Sequence, residues 1–187
     1  MPLVAVETEE QKEKFQQILS KGWEENNWDM LPINGENFLF ENKKNEYFAT
    51  LSILRYQPEV QSFINDIFEF DKVEPIKSNQ HTTVELDNFT VTRSKRGLRT
   101  LIKCFKEGSQ HILNKKDVEY CIGVVKPSFY KTINLLFKGY VVALTEEPIY
   151  VERDDCYFVP ICFDVKKARK SLKRLNIVKK EEVYINR

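Results

Sequence analysis

The sequence predicts an α/β fold of the α+β kind, with a mixed, mostly antiparallel central sheet and helices on both of its faces. Three observations carry that expectation. Runs of strand-like and helix-like periodicity alternate along the chain after an initial hairpin. The stretch Thr83–Thr92 reads as a strand whose two apolar pairs, Val84 with Leu86 and Phe89 with Val91, are out of phase. A basic turn, Arg93–Gly97, joins that strand directly to a helix beginning at Leu98.

Leu3–Val6 is apolar and short, as an edge strand would be. Thr8 and Gln11 make a capping box. Phe15, Ile18 and Leu19 supply the stripe of a helix from about Glu9 to Lys21, with Gly22 on its C-terminal side. Trp23 and Trp28 anchor the irregular segment that follows, or line a pocket. Asn37–Glu41 and Glu46–Tyr56 form a hairpin turned at Asn42–Asn45, and Pro58 ends its second arm. Val60, Phe63, Ile64, Ile67 and Phe68 recur at helical spacing, predicting a helix to about Glu69. Asp71–Asn79 is a loop.

After the strand and basic turn, Leu98, Leu101, Ile102, Phe105 and Ile112 stripe a helix running to about Leu113. Gly108 inside it costs about 1 kcal/mol relative to alanine, so it marks a close contact or a break. Val118–Val125 is nearly continuous in apolar residues, as a buried strand is. Pro127 and Ser128 begin another helix, with Tyr130, Ile133, Leu136 and Phe137 on its apolar side and Gly139 at its end. Tyr140–Leu144, Pro148–Val151 and Tyr157–Phe163 read as strands. The expected organisation is one domain over residues 1–187, with a basic amphipathic helical extension at about 165–180. That helix either packs on the surface with a solvated outer face or docks an acidic partner.

Composition limits the function classes. A chain of 187 residues is long enough for one self-sufficient core. A net charge of +1 gives no overall field to draw in nucleic acid or a membrane surface, which argues against a nucleic-acid binder built on the C-terminal helix. No apolar stretch is long enough to span a bilayer. Glu9, Glu10 and Lys12 stand where a secretion signal needs an apolar run, so the expected location is cytoplasmic. Cys104, Cys121, Cys156 and Cys162 lack paired metal spacing and read as free thiols, mostly buried, in a reducing compartment. His81 and His111 are too few and too far apart for a metal site, so none is expected.

The phase slip in Thr83–Thr92 has two readings. One extra residue at Asp87 or Asn88, a β-bulge, returns both apolar pairs to one face. Alternatively the strand is buried on both faces. A bulge turns backbone N–H groups out of the ladder, where a developing oxyanion would use them. The turn that follows collects Arg93, Lys95, Arg96 and Arg99 around a helix N-terminus, with Gly97 allowing close backbone approach. Cations there oppose the helix dipole, so a bound anion such as a pyrophosphate accounts for them, although a charge run is usually a solvated turn.

This layout, together with Val91-Thr-Arg-Ser-Lys-Arg96-Gly97 and Phe137-Lys-Gly139-Tyr140, resembles the GNAT acyltransferase superfamily over roughly Val4–Asp164. The resemblance implies a GNAT-like fold and an N-acyltransferase that moves an acyl group from a thioester carrier to an amine or amino-acid acceptor. It implies acyl-CoA or acetyl-CoA as donor, held by Arg93, Lys95, Arg96, Gly97, Leu98 and Arg99 at its pyrophosphate, with the backbone near Phe89 and Val91 at the thioester. Two departures stand out. Leu98, Arg99 and Thr100 replace the glycines that usually follow Arg-Gly, and Leu135 stands where many members carry a tyrosine acid. Glu85-Leu86-Asp87-Asn88-Phe89-Thr90-Val91 is similar to a strand of the acyl-homoserine-lactone synthases and N-acyl amino acid synthases, a branch that takes acyl chains from the phosphopantetheine of an acyl carrier protein.

Transfer of this kind needs a base, an oxyanion donor and an acid for the departing sulfur. Glu85 is the first candidate for base or amine-positioning carboxylate, unless it is an exposed strand residue. Tyr130 or Tyr140 is the candidate acid, although a tyrosine on an apolar stripe is more often core, and His81 is a second base. The competing expectation is a GNAT-like module that binds without catalysing.

Overall fold

The computed structural model describes residues 2–26, 35–60 and 62–174, the last three of these by backbone alone. Trp28 and Leu175 lie outside the described residues. The chain begins with β1 (Leu3–Ala5) and α1 (Glu9–Glu24), then the hairpin β2 (Glu36–Glu41) and β3 (Tyr47–Arg55). A short α2 (Phe63–Ile67) leads to β4 (Thr83–Val91), α3 (Leu98–Asn114), β5 (Tyr120–Val125) and α4 (Pro127–Leu136). The chain continues through β6 (Val141–Ala143), β7 (Ile149–Val151), β8 (Cys156–Asp164) and α5 (Val165–Arg174). The strands form one sheet in the order β1-β2-β3-β4-β5-β8-β6, with β7 also paired to β8. Among these pairs β4–β5 is parallel and the others are antiparallel.

Helices cover both faces, as expected. On one face Cys104 and Ile112 of α3, Ile133 of α4, and Val165 and Ala168 of α5 pack onto the sheet. On the other, Phe15, Ile18 and Leu19 of α1 pack on Leu39, while Phe63 and Ile64 of α2 pack with Ile122, Phe158 and Cys162. The capping box of Thr8 and Gln11 forms at the start of α1.

The phase slip in β4 is a bulge. Between Thr50 and Ser52 of β3 stands one residue, while between their partners Thr90 and Asp87 of β4 stand two. The extra residue is Asn88, with a left-handed φ of 53°. As a result Val84, Leu86, Phe89 and Val91 all face one core, the cluster beneath α3.

Several local expectations are corrected. The stripe from Val60 to Phe68 yields a helix only over Phe63–Ile67; Ser62 caps it, and Val60 is 44% exposed. Gly108 does not break α3, which runs unbroken through it. Gly22 is not a terminus, because α1 continues to Glu24. Its role is contact, since a methyl group there would collide with the Thr90 side chain. α5 packs on the surface, and its inner cations are already engaged. Arg169 donates to the carbonyls of Leu113, Lys115 and Val118, closing the C-terminal end of α3. Lys166 pairs with Glu119, and Lys167 donates to the Gly139 carbonyl.

Gly22→Ala gains up to about 1 kcal/mol of helix propensity, but overpacking against β4 costs about 1–3 kcal/mol. Urea unfolding is expected to show net destabilisation of that variant.

Candidate active site

β4 and β5 pair over three residues, Thr83–Glu85 with Tyr120–Ile122. Beyond that point β5 keeps its ladder with β8, and β4 keeps its ladder with β3. The two strands therefore part into a slot from Leu86 and Gly123 onward. A cavity of about 510 Å³ passes through the opening. Leu86, Phe89 and Val91 form one wall of the slot, and Gly123, Val124 and Val125 the other. Beneath α3 the cavity is apolar, bounded by Phe40, Leu51, Cys104 and Ile112. On the opposite face of the sheet it reaches Trp23, Asn26, Phe63 and Asp87. Phe89 stacks on Phe105 and Phe129, with ring centroids 5.6 and 5.8 Å apart. Burial pushes the Cys104 thiol up to about 12, so this wall presents a neutral thiol.

The bulge is braced from its far side. Thr50 Oγ1 donates to the Asn88 carbonyl at 2.7 Å. Asn88 Nδ2 donates to Ser52 Oγ at 3.1 Å, and Ser52 Oγ donates to Asn37 Oδ1 at 2.7 Å. Thr92 N–H donates to the Phe48 carbonyl of β3 at 2.9 Å. By strand alternation, Val91 and Phe89 turn their N–H groups to the open side, toward the slot.

The cationic corner lies at the slot's mouth. Gly97 has φ 157° and ψ 159°, a region that essentially only glycine occupies. No side chain caps α3, so its first-turn amides and positive dipole end face outward. Arg93, Lys95 and Arg99 are exposed in the turn before α3 and in its first turn, off the cavity wall, and Leu98 is 59% exposed. Arg96 is committed elsewhere: its Nε donates to the Val91 carbonyl at 2.9 Å, and its guanidinium pairs with Glu25 at the end of α1. From the β5 side, Lys126 Nζ donates to Asn26 Oδ1 at 2.9 Å. The end of α1 thus bridges the mouth, tied to both strands. Arg93 and Lys95 line a second groove, between α1 and the turn after β4, together with Glu10, Glu13, Lys14 and Glu46.

Two carboxylates sit on the α1/α2 side of β4. Glu85 is 3% exposed, which removes the exposed-strand reading. The Ser62 hydroxyl donates to it, while its Oε1 has no partner among the described residues. Burial, then the charge of Asp87, push Glu85 up to about 7. Asp87 Oδ1 accepts the Asn88 N–H at 2.7 Å, and burial raises its carboxyl above the usual range. Asp87, not Glu85, lies on the cavity wall.

The remaining candidates lie apart from the slot. Tyr130 and Tyr140 pack against the core rather than on the cavity wall, where Ser128 and Phe129 stand instead. His81 is exposed in the turn before β4, and Leu135 is 81% exposed. Sequence reasoning missed Asp87 as a wall residue and the Thr50–Ser52 brace. Its signal was two small polar residues inside the otherwise apolar run of β3.

A mixed sheet splayed at a bulged fourth strand, with an uncapped helix start beside the gap, is the GNAT-like fold expected from the sequence. No protein-family model matches the sequence, and no curated protein matches it. Solved structures do match in fold. FeeM, an N-acyl amino acid synthase from uncultured soil microbes, is similar at TM-score 0.68 and 11% identity, over 91% of this chain and 98% of its own. The acyl-homoserine-lactone synthase LasI is similar at TM-score 0.64 and 12% identity, over 87% of this chain and 89% of its own. A variant of the spermidine N-acetyltransferase SpeG from Vibrio cholerae is similar at TM-score 0.60 and 9% identity, over 89% and 96%.

The raised Glu85 carboxyl has a signed consequence for stability. Its favourable contribution is full below the ordinary value of 4.5 and is lost as pH rises through about 7. Glu85→Gln is therefore expected to gain on the wild type, by up to about 3 kcal/mol, between pH ~5 and pH ~8. Urea melts at the two pH values measure this.

Proposed function

We propose that the protein is an N-acyltransferase, taking an acyl group from a thioester carrier and placing it on an amine or amino acid. The observation that carries this reading is the slot between β4 and β5, which opens after three paired residues and ends beside the uncapped start of α3. A phosphopantetheine arm has the shape for such a gap: an extended amide chain that bonds to the free edge of β4, with phosphate at the helix start. The same arm is shared by acyl-CoA and acyl carrier protein, and Arg93, Lys95 and Arg99 suit either donor.

In this reading the thioester carbonyl lies against the outward amides of Phe89 and Val91, which stabilise the oxyanion as the C–N bond forms. The amine approaches from the α1/α2 side, past Trp23 and Phe63. Asp87 receives its proton, and Glu85 behind it titrates near neutrality and holds the pair at low charge. The C–S bond then breaks, and the thiolate takes a proton from solvent at the mouth. The donors and acceptors of this reaction, and four free cysteines among the described residues, suit a cytoplasmic protein.

A second reading is a GNAT-like module that binds a thioester without turnover. It is favoured by one observation: neither Tyr130 nor Tyr140 lies on the cavity wall, so neither candidate acid serves the leaving sulfur.

Calorimetry with acetyl- and long-chain acyl-CoA and with acyl carrier protein tests the donor; binding to none of them sinks the proposal. Replacing Arg93, Lys95 and Arg99 together by alanine is expected to weaken donor binding about 10- to 100-fold, with a shallower salt dependence. With a competent acceptor, Asp87→Asn is expected to lower kcat about 10²- to 10⁴-fold. Single-turnover assays with wild type separate the two readings, because the binding module releases no thiol.

A further inference from the structure

We infer that the acceptor is a primary amine on an apolar, ring-bearing body without an α-carboxylate, and that Asp87 makes that choice. The inference rests on the acyl-transfer reading above and deepens it, since that reading leaves amine and amino acid equal. On its α1/α2 side the cavity joins aromatic rings to an acid group. Trp23 and Phe63 meet edge to face with ring centroids 6.3 Å apart, and Phe63 and Phe158 do so at 5.6 Å. All three line the cavity. Such a lining favours a flat apolar body, and ring faces attract an ammonium. Asp87 stands on the same wall. Its Oδ1 accepts the Asn88 N–H, and no described residue bonds its Oδ2.

The charge that faces the amine is negative. Among the described residues, neither Asp87 nor Glu85 forms an ion pair with a lysine or arginine. Buried charges are ordinarily paired, so a cation carried by the substrate completes the arrangement. The two carboxyls already resist a second negative charge: burial, then the charge of Asp87, push Glu85 up to about 7, and burial raises Asp87. A carboxylate one carbon from the reacting amine adds another negative charge to the same low-dielectric space, where like charges repel strongly. The basic side chains around this space are engaged. Arg96 and Lys126, which line the cavity, bond Glu25 and Asn26. Arg153, whose guanidinium lies 5.4 Å from the centre of the Phe63 ring, is held by Asp66 and Asp154. Residues 27–34, outside the described residues, include Asp29 and neither lysine nor arginine.

The test is calorimetry on the full chain with phenethylamine, phenylalaninamide, phenylalanine and putrescine, each with and without saturating 4′-phosphopantetheine, the arm common to both donor types. Phenethylamine and phenylalaninamide are expected to bind comparably. Phenylalanine, which differs from its amide by one negative charge, is expected to bind more weakly by roughly tenfold or more. Putrescine, which carries a second cation in among the rings, is expected to lose a similar factor. Asp87→Asn keeps an acceptor oxygen for the Asn88 N–H and removes the charge. It is expected to weaken phenethylamine by about tenfold and to close the gap between phenylalanine and its amide. Phe63→Leu keeps the comparison intact if that variant does not fold, and is expected to weaken phenethylamine several-fold while the penalty for the carboxylate remains. Phenylalanine or putrescine binding as tightly as phenethylamine overturns the inference and leaves acyl transfer standing. So does an unchanged preference in Asp87→Asn, unchanged phenethylamine binding in Phe63→Leu, or donor binding with no binding of any amine. Failure of the amines and of the thioester donors alike to bind wild type overturns both.

Discussion

The site depends on one strained residue. Asn88 holds a left-handed backbone, which a residue other than glycine adopts at a cost on the order of 1–2 kcal/mol. Thr50, Ser52 and Asn37 over-determine it through hydrogen bonds across three strands, with Thr50 and Ser52 fully buried. A regular strand would turn Phe89 and Val91 to the opposite face and stay in register with its parallel neighbour. With the bulge, β4 stays zipped to β3 and leaves β5, its apolar face remains beneath α3, and its outer amides face an open edge. Fold stability and site geometry thus rest on the same few buried polar atoms, the arrangement in which removing one partner is most costly.

The bulge was legible because an apolar strand carries its own phase. Leu86 and Phe89 are separated by an odd step, and the core tolerates both only if one residue is looped out. The basic turn was legible as the break between strand and helix, with Gly97 at the N-cap of α3. Other features are set by tertiary contact and leave no local trace. Gly22 looks like a helix end in one dimension, but Thr90, far along the chain, makes it a contact. The apolar repeat around Phe63 exceeds the helix it forms, because Ile64 and Phe70 are buried in a shared cluster with Tyr56, Ile76 and Phe158, which a compact loop satisfies as well as a helix. The choice between Glu85 and Asp87 was beyond periodicity, since residues two apart on a strand share a face and only the flare of the slot separates them.

Charge was the least legible quantity. The run Arg93–Arg99 suggests four equivalent cations, yet Arg96 is spent on Glu25 and on the strand it follows. The cations of α5 that face inward serve carbonyls and Glu119. Cations near a helix C-terminus satisfy backbone oxygens that would otherwise need water, so their number in the sequence overstates what the surface shows to a visitor.

The two ends of the slot are built from different materials. Its apex is backbone ladder, inflexible and indifferent to ions. Its rim is drawn together by Arg96 on Glu25 and Lys126 on Asn26, links made by partly solvated side chains. The ion pair of the two weakens as ionic strength rises. The pair of strands is therefore fixed at its apex by backbone and held at its rim by side chains, one of them through a salt-sensitive ion pair.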